Sequence, residues 1–220
     1  MTNKYFIILL GLLILLSGCA VNVQKTKITA FPKIYEQKPV SILILPSVNM
    51  STAPEAKEYF MSTLTECANE TGYYFLPLEV TTPFLQSEGL YDTEIISNEV
   101  LPQFKEYFGA DAVLISKILK WDKVYVVVSG KVTVGLEFDL VSTTTLDTLW
   151  SYAGEITVNT TSNSSSLLVA LIETAITTAT QDYIPIAKMV NNKVFKNTPA
   201  GYLHPRYNID GSDIVYIKKE

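Results

Sequence analysis

Tyr5 to Leu16 is an almost unbroken apolar run, interrupted by Gly11. Lys4 precedes it and Leu16-Ser17-Gly18-Cys19 follows it. A positive start, an apolar stretch of about 7–15 residues and small residues before a cut mark an export signal. The run falls short of the roughly 20 apolar residues that a membrane helix needs. Asn22, Gln24 and Lys25 prevent its extension. The polar stretch 19–38, punctuated by Pro32, reads as a tether.

A second rhythm begins at Val40. Val40 to Leu45 is a compact apolar run ended by Pro46, which predicts a buried strand. Thr52, Pro54 and Glu55 read as a capping box that opens a helix over 53–70. Its stripe is Tyr59 or Phe60, Leu64, Cys67 and Ala68, and Gly72 stops it. Tyr73 to Leu76 predicts a short strand, and Thr81 to Gln86 a weak helix or turn. Val100, Leu101, Phe104 and Phe108 predict a helix over 97–108, ended by Gly109. Ala112 to Leu119 predicts another strand. Strands alternating with helices favour a parallel core.

From Val124 to Leu140 the period becomes two. Even positions such as Val132, Val134, Leu136 and Phe138 are apolar, and odd positions such as Lys131, Thr133, Glu137 and Asp139 are polar. Trp150, Tyr152, Ile156 and Val158 continue the alternation on a return strand. The pattern predicts a long antiparallel hairpin over 123–159. A Ser/Thr-rich break then leads to a helix over 166–190, ended or kinked by Pro185. Residues 191–212 read as coil, and Ile214 to Ile217 as a late edge strand.

The expected fold class is α/β. It is a single domain with a short parallel core, a long antiparallel hairpin and helices packed on the sheet. The expected boundaries are a signal peptide over 1–18, a tether over 19–38, the α/β domain over 39–190, and a C-terminal extension over 191–220 packed on it.

Charge and chemistry narrow the function classes. The net charge is −5, with 17 basic against 22 acidic residues. No basic patch supports nucleic-acid binding. Thirteen tyrosines and a low charged fraction suit an interface. Cys67 lies on an apolar helical stripe and reads as a buried thiol. His204 is the single histidine and sits in a coil, where it reads as structural. Asp111 reads as a turn residue, Glu66 and Glu70 as a solvated helix face, and Glu137 and Asp139 as the polar face of a strand. No Gly-x-Ser-x-Gly elbow or phosphate-cradling Gly-rich loop is present in the sequence. The expectation is a protein that is not an enzyme, with no cofactor and no metal.

Leu16-Ser17-Gly18-Cys19 resembles the lipobox of bacterial lipoproteins, which implies lipidation at Cys19. Ala20, where an aspartate would resemble an inner-membrane retention signal, points to the periplasmic face of the outer membrane. The strand running into Pro46-Ser47-Val48-Asn49-Met50-Ser51, the turn Gly109-Ala110-Asp111-Ala112-Val113-Leu114, and Pro199-Ala200-Gly201-Tyr202-Leu203-His204-Pro205 carry a further resemblance. Together with the lipobox they resemble the bacterial lipoproteins related to the meningococcal antigen GNA1162. That resemblance implies a fold similar to the amino-terminal domain of TolB and of curli-secretion-channel lipoproteins. It implies an accessory or assembly role in an envelope or transport complex, with envelope proteins as partners, a curli-channel-like lipoprotein among them. Tyr202, His204, Arg206 and Tyr207 are the candidate partner surface. Two other readings remain open, a carrier or sensor of a lipid or small apolar ligand, and a subunit giving its hairpin to an oligomeric pore.

Overall fold

The alternation along 129–142 becomes the middle strand of the main sheet. The computed structural model describes residues 22–91, 99–126, 129–159 and 183–218. The export signal with Cys19, residues 97–98 and residues 166–182 of the expected helices, and positions 127–128 lie outside the described residues.

In chain order the elements are β1 (Asn22–Thr26), α1 (Lys27–Ala30), α2 (Pro32–Gln37), β2 (Ser41–Ile44), β3 (Val48–Asn49), α3 (Ala56–Asn69), β4 (Tyr74–Phe75), α4 (Leu78–Ser87) and α5 (Leu101–Phe108). They continue as β5 (Ala112–Val126), β6 (Ser129–Ser142), β7 (Thr148–Asn159), α6 (Ile184–Phe195) and β8 (Ile214–Lys218). The main sheet runs β4-β2-β5-β6-β7, with β3 also on β5. β4, β2 and β5 pair in parallel. β5, β6 and β7 form an antiparallel meander. The fold is thus α/β, with the short parallel core and the long antiparallel pairing in one sheet.

β2 explains why its run is apolar throughout. Ile42 and Ile44 face one core, with Phe60 and Leu64 of α3 and Val190 and Val194 of α6. Leu43 and Leu45 face the other, with Leu85 of α4 and Leu101 and Phe104 of α5. A strand covered on both sides has no polar face to alternate with. In β6, Val132, Val134, Leu136 and Phe138 all face the first core, while Thr133, Glu137 and Asp139 lie on the more open side. Phe138 sits 5.7 Å from Phe60, 6.1 Å from Trp150 and 5.5 Å from Phe195, ring centre to ring centre. Burying each such side chain contributes about 1.5–3 kcal/mol.

Several expectations need correction. The alternating stretch 124–140 is not one strand, because Val124 to Val126 belong to β5 and pair antiparallel with Lys131 to Ser129 of β6. β5 is correspondingly longer than Ala112–Leu119. Its pairing steps from Ile118↔Leu136 to Lys120↔Gly135, so Leu119 is the extra residue of a bulge. The bulge returns Trp121 to the same core as Ile118, which no strict period of two allows.

The expected capping box does not form. Glu55 is the N-cap of α3 and makes no side-chain cap bond. Asn49 instead orders the approach, accepting from Ser51 N at 3.1 Å and donating to Ala53 O at 2.8 Å. Pro185 stands in the first turn of α6, and residues 166–182 of the expected helix before it lie outside the described residues. In that turn its missing N–H costs nothing. Residues 191–195, expected as coil, complete that helix, and Asn191 Nδ2 donates to Phe60 O and Thr63 Oγ1 of α3. Residues 22–38 are built into the fold. β1 pairs antiparallel with β8, and Phe31 and Ile34 are buried. β8 is therefore the partner of β1 in a two-stranded ribbon.

Candidate functional site

The segment between α6 and β8 carries the expected partner surface, and two glycines decide where it lies. Gly72 takes φ +81°, a left-handed conformation open to glycine. A Cβ on Gly72 would meet His204 N at 2.4 Å, and one on Gly201 would meet the Gly72 carbonyl carbon at 2.6 Å. The two backbones touch because neither residue has a side chain. Gly201 N donates to Thr71 O, and Leu203 N to Gly72 O, both at 2.8 Å. Tyr73 OH donates to Pro199 O at 2.9 Å. Burial and the nearby Asp210 carboxylate push the Tyr73 phenol well above its ordinary range, so it stays a donor.

Asp210 fastens the other side. It is 1% exposed. Its Oδ2 accepts from Lys27 Nζ at 3.0 Å and from Ala200 N at 2.9 Å, and its Oδ1 from Tyr35 OH at 3.1 Å. Lys27 Nζ also donates to Thr198 O at 2.9 Å. Burial, then Asp210, raises the Tyr35 phenol above its usual range. A buried ion pair of this kind is worth keeping only when further hydrogen bonds satisfy it, as they do here.

The candidate residues ride on this clasp. His204 Nδ1 accepts from Arg206 N at 3.0 Å, so the imidazole closes a turn. Arg206 forms a two-pronged pair with Asp213 at 2.7 Å on each side. That pairing raises the guanidinium and lowers the Asp213 carboxyl. The Tyr202 and Tyr207 rings meet edge to face at 5.7 Å. The structure therefore brings all four residues onto one loop. Two apolar neighbours widen this surface, Leu203 within the segment 202–207 and Ile209 just beyond it. Leu203 and Ile209 are 65% and 66% exposed, beside Tyr202 at 60%. Large apolar residues in a Gly- and Pro-rich coil were the available signal.

The other singled-out residues are structural in their surroundings. Cys67 is buried, and its Sγ donates to Lys188 O at 3.6 Å. Burial, then Glu66 and Glu70, pushes its thiol up to about 11. Asp111 Oδ2 accepts from Val40 N at 2.9 Å and Ser41 N at 3.1 Å, tying β2 to the turn before β5. Glu137 lies 3.8 Å from Lys117 on the open side of the sheet. Among the described residues, no three His, Cys, Asp or Glu side chains are placed to hold a metal ion. No described helix is long and apolar enough to cross a membrane.

The family model described as "Putative lipoprotein GNA1162-like" matches residues 29–204. A relative from Neisseria meningitidis serogroup B, "Putative lipoprotein NMB1124/NMB1162", is 25% identical over 197 residues, covering 90% of this chain and 92% of that one. The crystal structure of lipoprotein GNA1162 from Neisseria meningitidis is similar with a TM-score of 0.50 and 25% identity, over 63% of this chain and 95% of that chain. A PelC dodecamer from Paraburkholderia phytofirmans matches with a TM-score of 0.45 and 14% identity, over 83% and 99% of the two chains.

Proposed function

The chain belongs to the GNA1162-like lipoprotein family, and on that premise we propose that it is a non-catalytic accessory or assembly factor of the bacterial envelope. Cys19 takes the lipid, and the anchored domain faces the periplasm from the outer membrane. Envelope proteins dock on the loop that carries Tyr202, His204, Arg206 and Tyr207. A curli-channel-like lipoprotein is the class of partner that the family resemblance suggests. The observation that carries this reading is the pairing of exposed apolar groups with a rigid support. Tyr202, Leu203 and Ile209 stand open to solvent on a loop held by the buried Asp210–Lys27 pair. Aromatic residues and arginine dominate binding hot spots, and a loop already held in place loses little entropy on binding.

The other readings find less support. The apolar face of β6 is occupied by Phe60 and Phe195, so it offers no stripe to lipid. On the same face Phe138, Trp150 and Phe195 pack ring against ring. The test is co-purification from membranes with the natively anchored chain. The wild type is expected to bring down a discrete envelope protein. Tyr202→Ala/Tyr207→Ala is expected to reduce that recovery at least about tenfold with an unchanged melting temperature, while Tyr107→Ala does not. Recovery of the lipoprotein alone, or equal recovery by both variants, refutes the proposal.

A further inference from the structure

The β1–β8 ribbon starts close to Cys19, the proposed lipid site. β1 begins at Asn22, three residues after that cysteine. Three peptide steps reach about 11 Å at full extension. Gln24, in the middle of β1, pairs with Tyr216 of β8. The five steps from Cys19 to Gln24 reach about 18 Å at most. A lipid on Cys19 therefore holds this ribbon beside the bilayer.

The register decides which face the bilayer can reach. Val215 is buried in the main core and Ile217 packs against it, so their side of β8 faces inward. Ile214 and Tyr216 alternate with them and face outward, with Thr26 and Gln24 opposite on β1. Ile214 is 48% exposed and Tyr216 67%. Ile28, 51% exposed, follows at the Ile214 end, where its N–H donates to Gly211 O at 3.0 Å. A strand face turned to water is ordinarily polar. This one carries a tyrosine and an isoleucine on one strand. None of Gln24, Thr26, Ile214 and Tyr216 is charged, in a chain of net charge −5, so the face brings no acid to repel lipid phosphates. Tyrosine suits the head-group layer, where its ring is buried and its hydroxyl stays wet.

We propose that the outer face of the β1–β8 ribbon rests on the bilayer that holds the Cys19 lipid, with Tyr216 and Ile214 set into its head-group layer. This rests on lipidation at Cys19 as proposed above. Tyr202 and Tyr207 take no part in the contact.

The test uses the full lipidated chain in vesicles of equal parts phosphatidylethanolamine and phosphatidylglycerol. Tyr216→Cys carries an environment-sensitive NBD label. Tyr107→Cys carries it as a control, because α5 packs on the second core, across the main sheet from the ribbon. Cys67 is buried and does not compete for the label. A nitroxide near the top of the lipid acyl chain should quench the label at 216 and spare the one at 107. With the label moved to Gln24→Cys, opposite Tyr216, Ile214→Ser/Tyr216→Ser should lose most of the quenching at an unchanged melting temperature, since both side chains stand open to solvent. Intact mass separates this proposal from the reading beneath it. A mature chain without acyl mass overturns the anchor and the proposal with it. An acylated chain with no quenching at 216, equal quenching at 216 and 107, or undiminished quenching in the double serine variant overturns the proposal alone. Shielding of the 216 label from aqueous iodide in native membranes but not in the vesicles would assign the face to an envelope protein. Concentration-dependent shielding in detergent would assign it to a second copy of the chain. Either result overturns the proposal.

Discussion

Asp210 Oδ2 accepts a hydrogen bond from Lys27 Nζ at 3.0 Å across a separation of 183 residues. The pair fastens the loop after α6 to the segment before β2. Breaking a buried pair strands the remaining charge, at a cost of about 3–5 kcal/mol. Asp210→Ala should lower stability by that amount in urea unfolding of the full chain. Lys27→Met/Asp210→Leu should lower it much less, because it strands no charge.

The contact of Gly72 with Gly201 gives a second prediction. Gly201→Ala places a Cβ 2.6 Å from backbone atoms that cannot move aside. Overpacking of this kind costs about 1–3 kcal/mol. Amide hydrogen exchange at Leu203 and His204 should accelerate, since Leu203 N would lose its bond to Gly72 O, while exchange in β6 should change little.

These two contacts show where the sequence was legible and where it was not. β2, α3, α5, β6 and β7 follow from apolar spacing, because each buries one face or two against close neighbours in the fold. β1 and the clasp do not follow from spacing. Val23, Phe31 and Ile34 are isolated apolar residues in a polar stretch, and their partners lie at the far end of the chain. Nothing local marks Lys27 or Asp210 as buried, because each is tolerated inside only through the other. The candidate loop was found through its closing Pro-x-Gly-x-x-His-Pro segment. The geometry gives that segment a reason, since Pro199, Gly201 and His204 all contribute to the contact with residues 71–73 or to the turn.

Asp111 makes stability depend on acid. Burial alone would raise its carboxyl, but hydrogen bonds from Lys105, Ser41 and Val40 outweigh that and hold it at about 2. An unfolded aspartate titrates near about 3.9. The contribution is therefore complete above about pH 4 and is lost as pH falls through about 2. It amounts to about 1–2 kcal/mol once solvent screening of the half-exposed Lys105 is allowed for. The stability difference between wild type and Asp111→Asn should be largest above pH 5 and should shrink towards pH 2 in denaturant titrations.

Leu136 tests the assignment of the β6 face. It is fully buried in the first core. Leu136→Lys buries an ammonium with no partner, so the domain should fail to fold in detergent-free buffer. A folded variant with native circular dichroism that no longer inserts into liposomes would revive the pore reading.

The clasped loop after α6 is the proposed docking site for an envelope protein. The most direct measurement is photo-crosslinking in living cells, with a benzophenone amino acid at Tyr202 and, as a control, at Tyr107 on α5. Both side chains are similarly exposed, at 60% and 65%. One discrete crosslinked product is expected from position 202, absent from position 107 and lost when Asp210→Ala releases the loop. No product from position 202, or the same product from both positions, would contradict it.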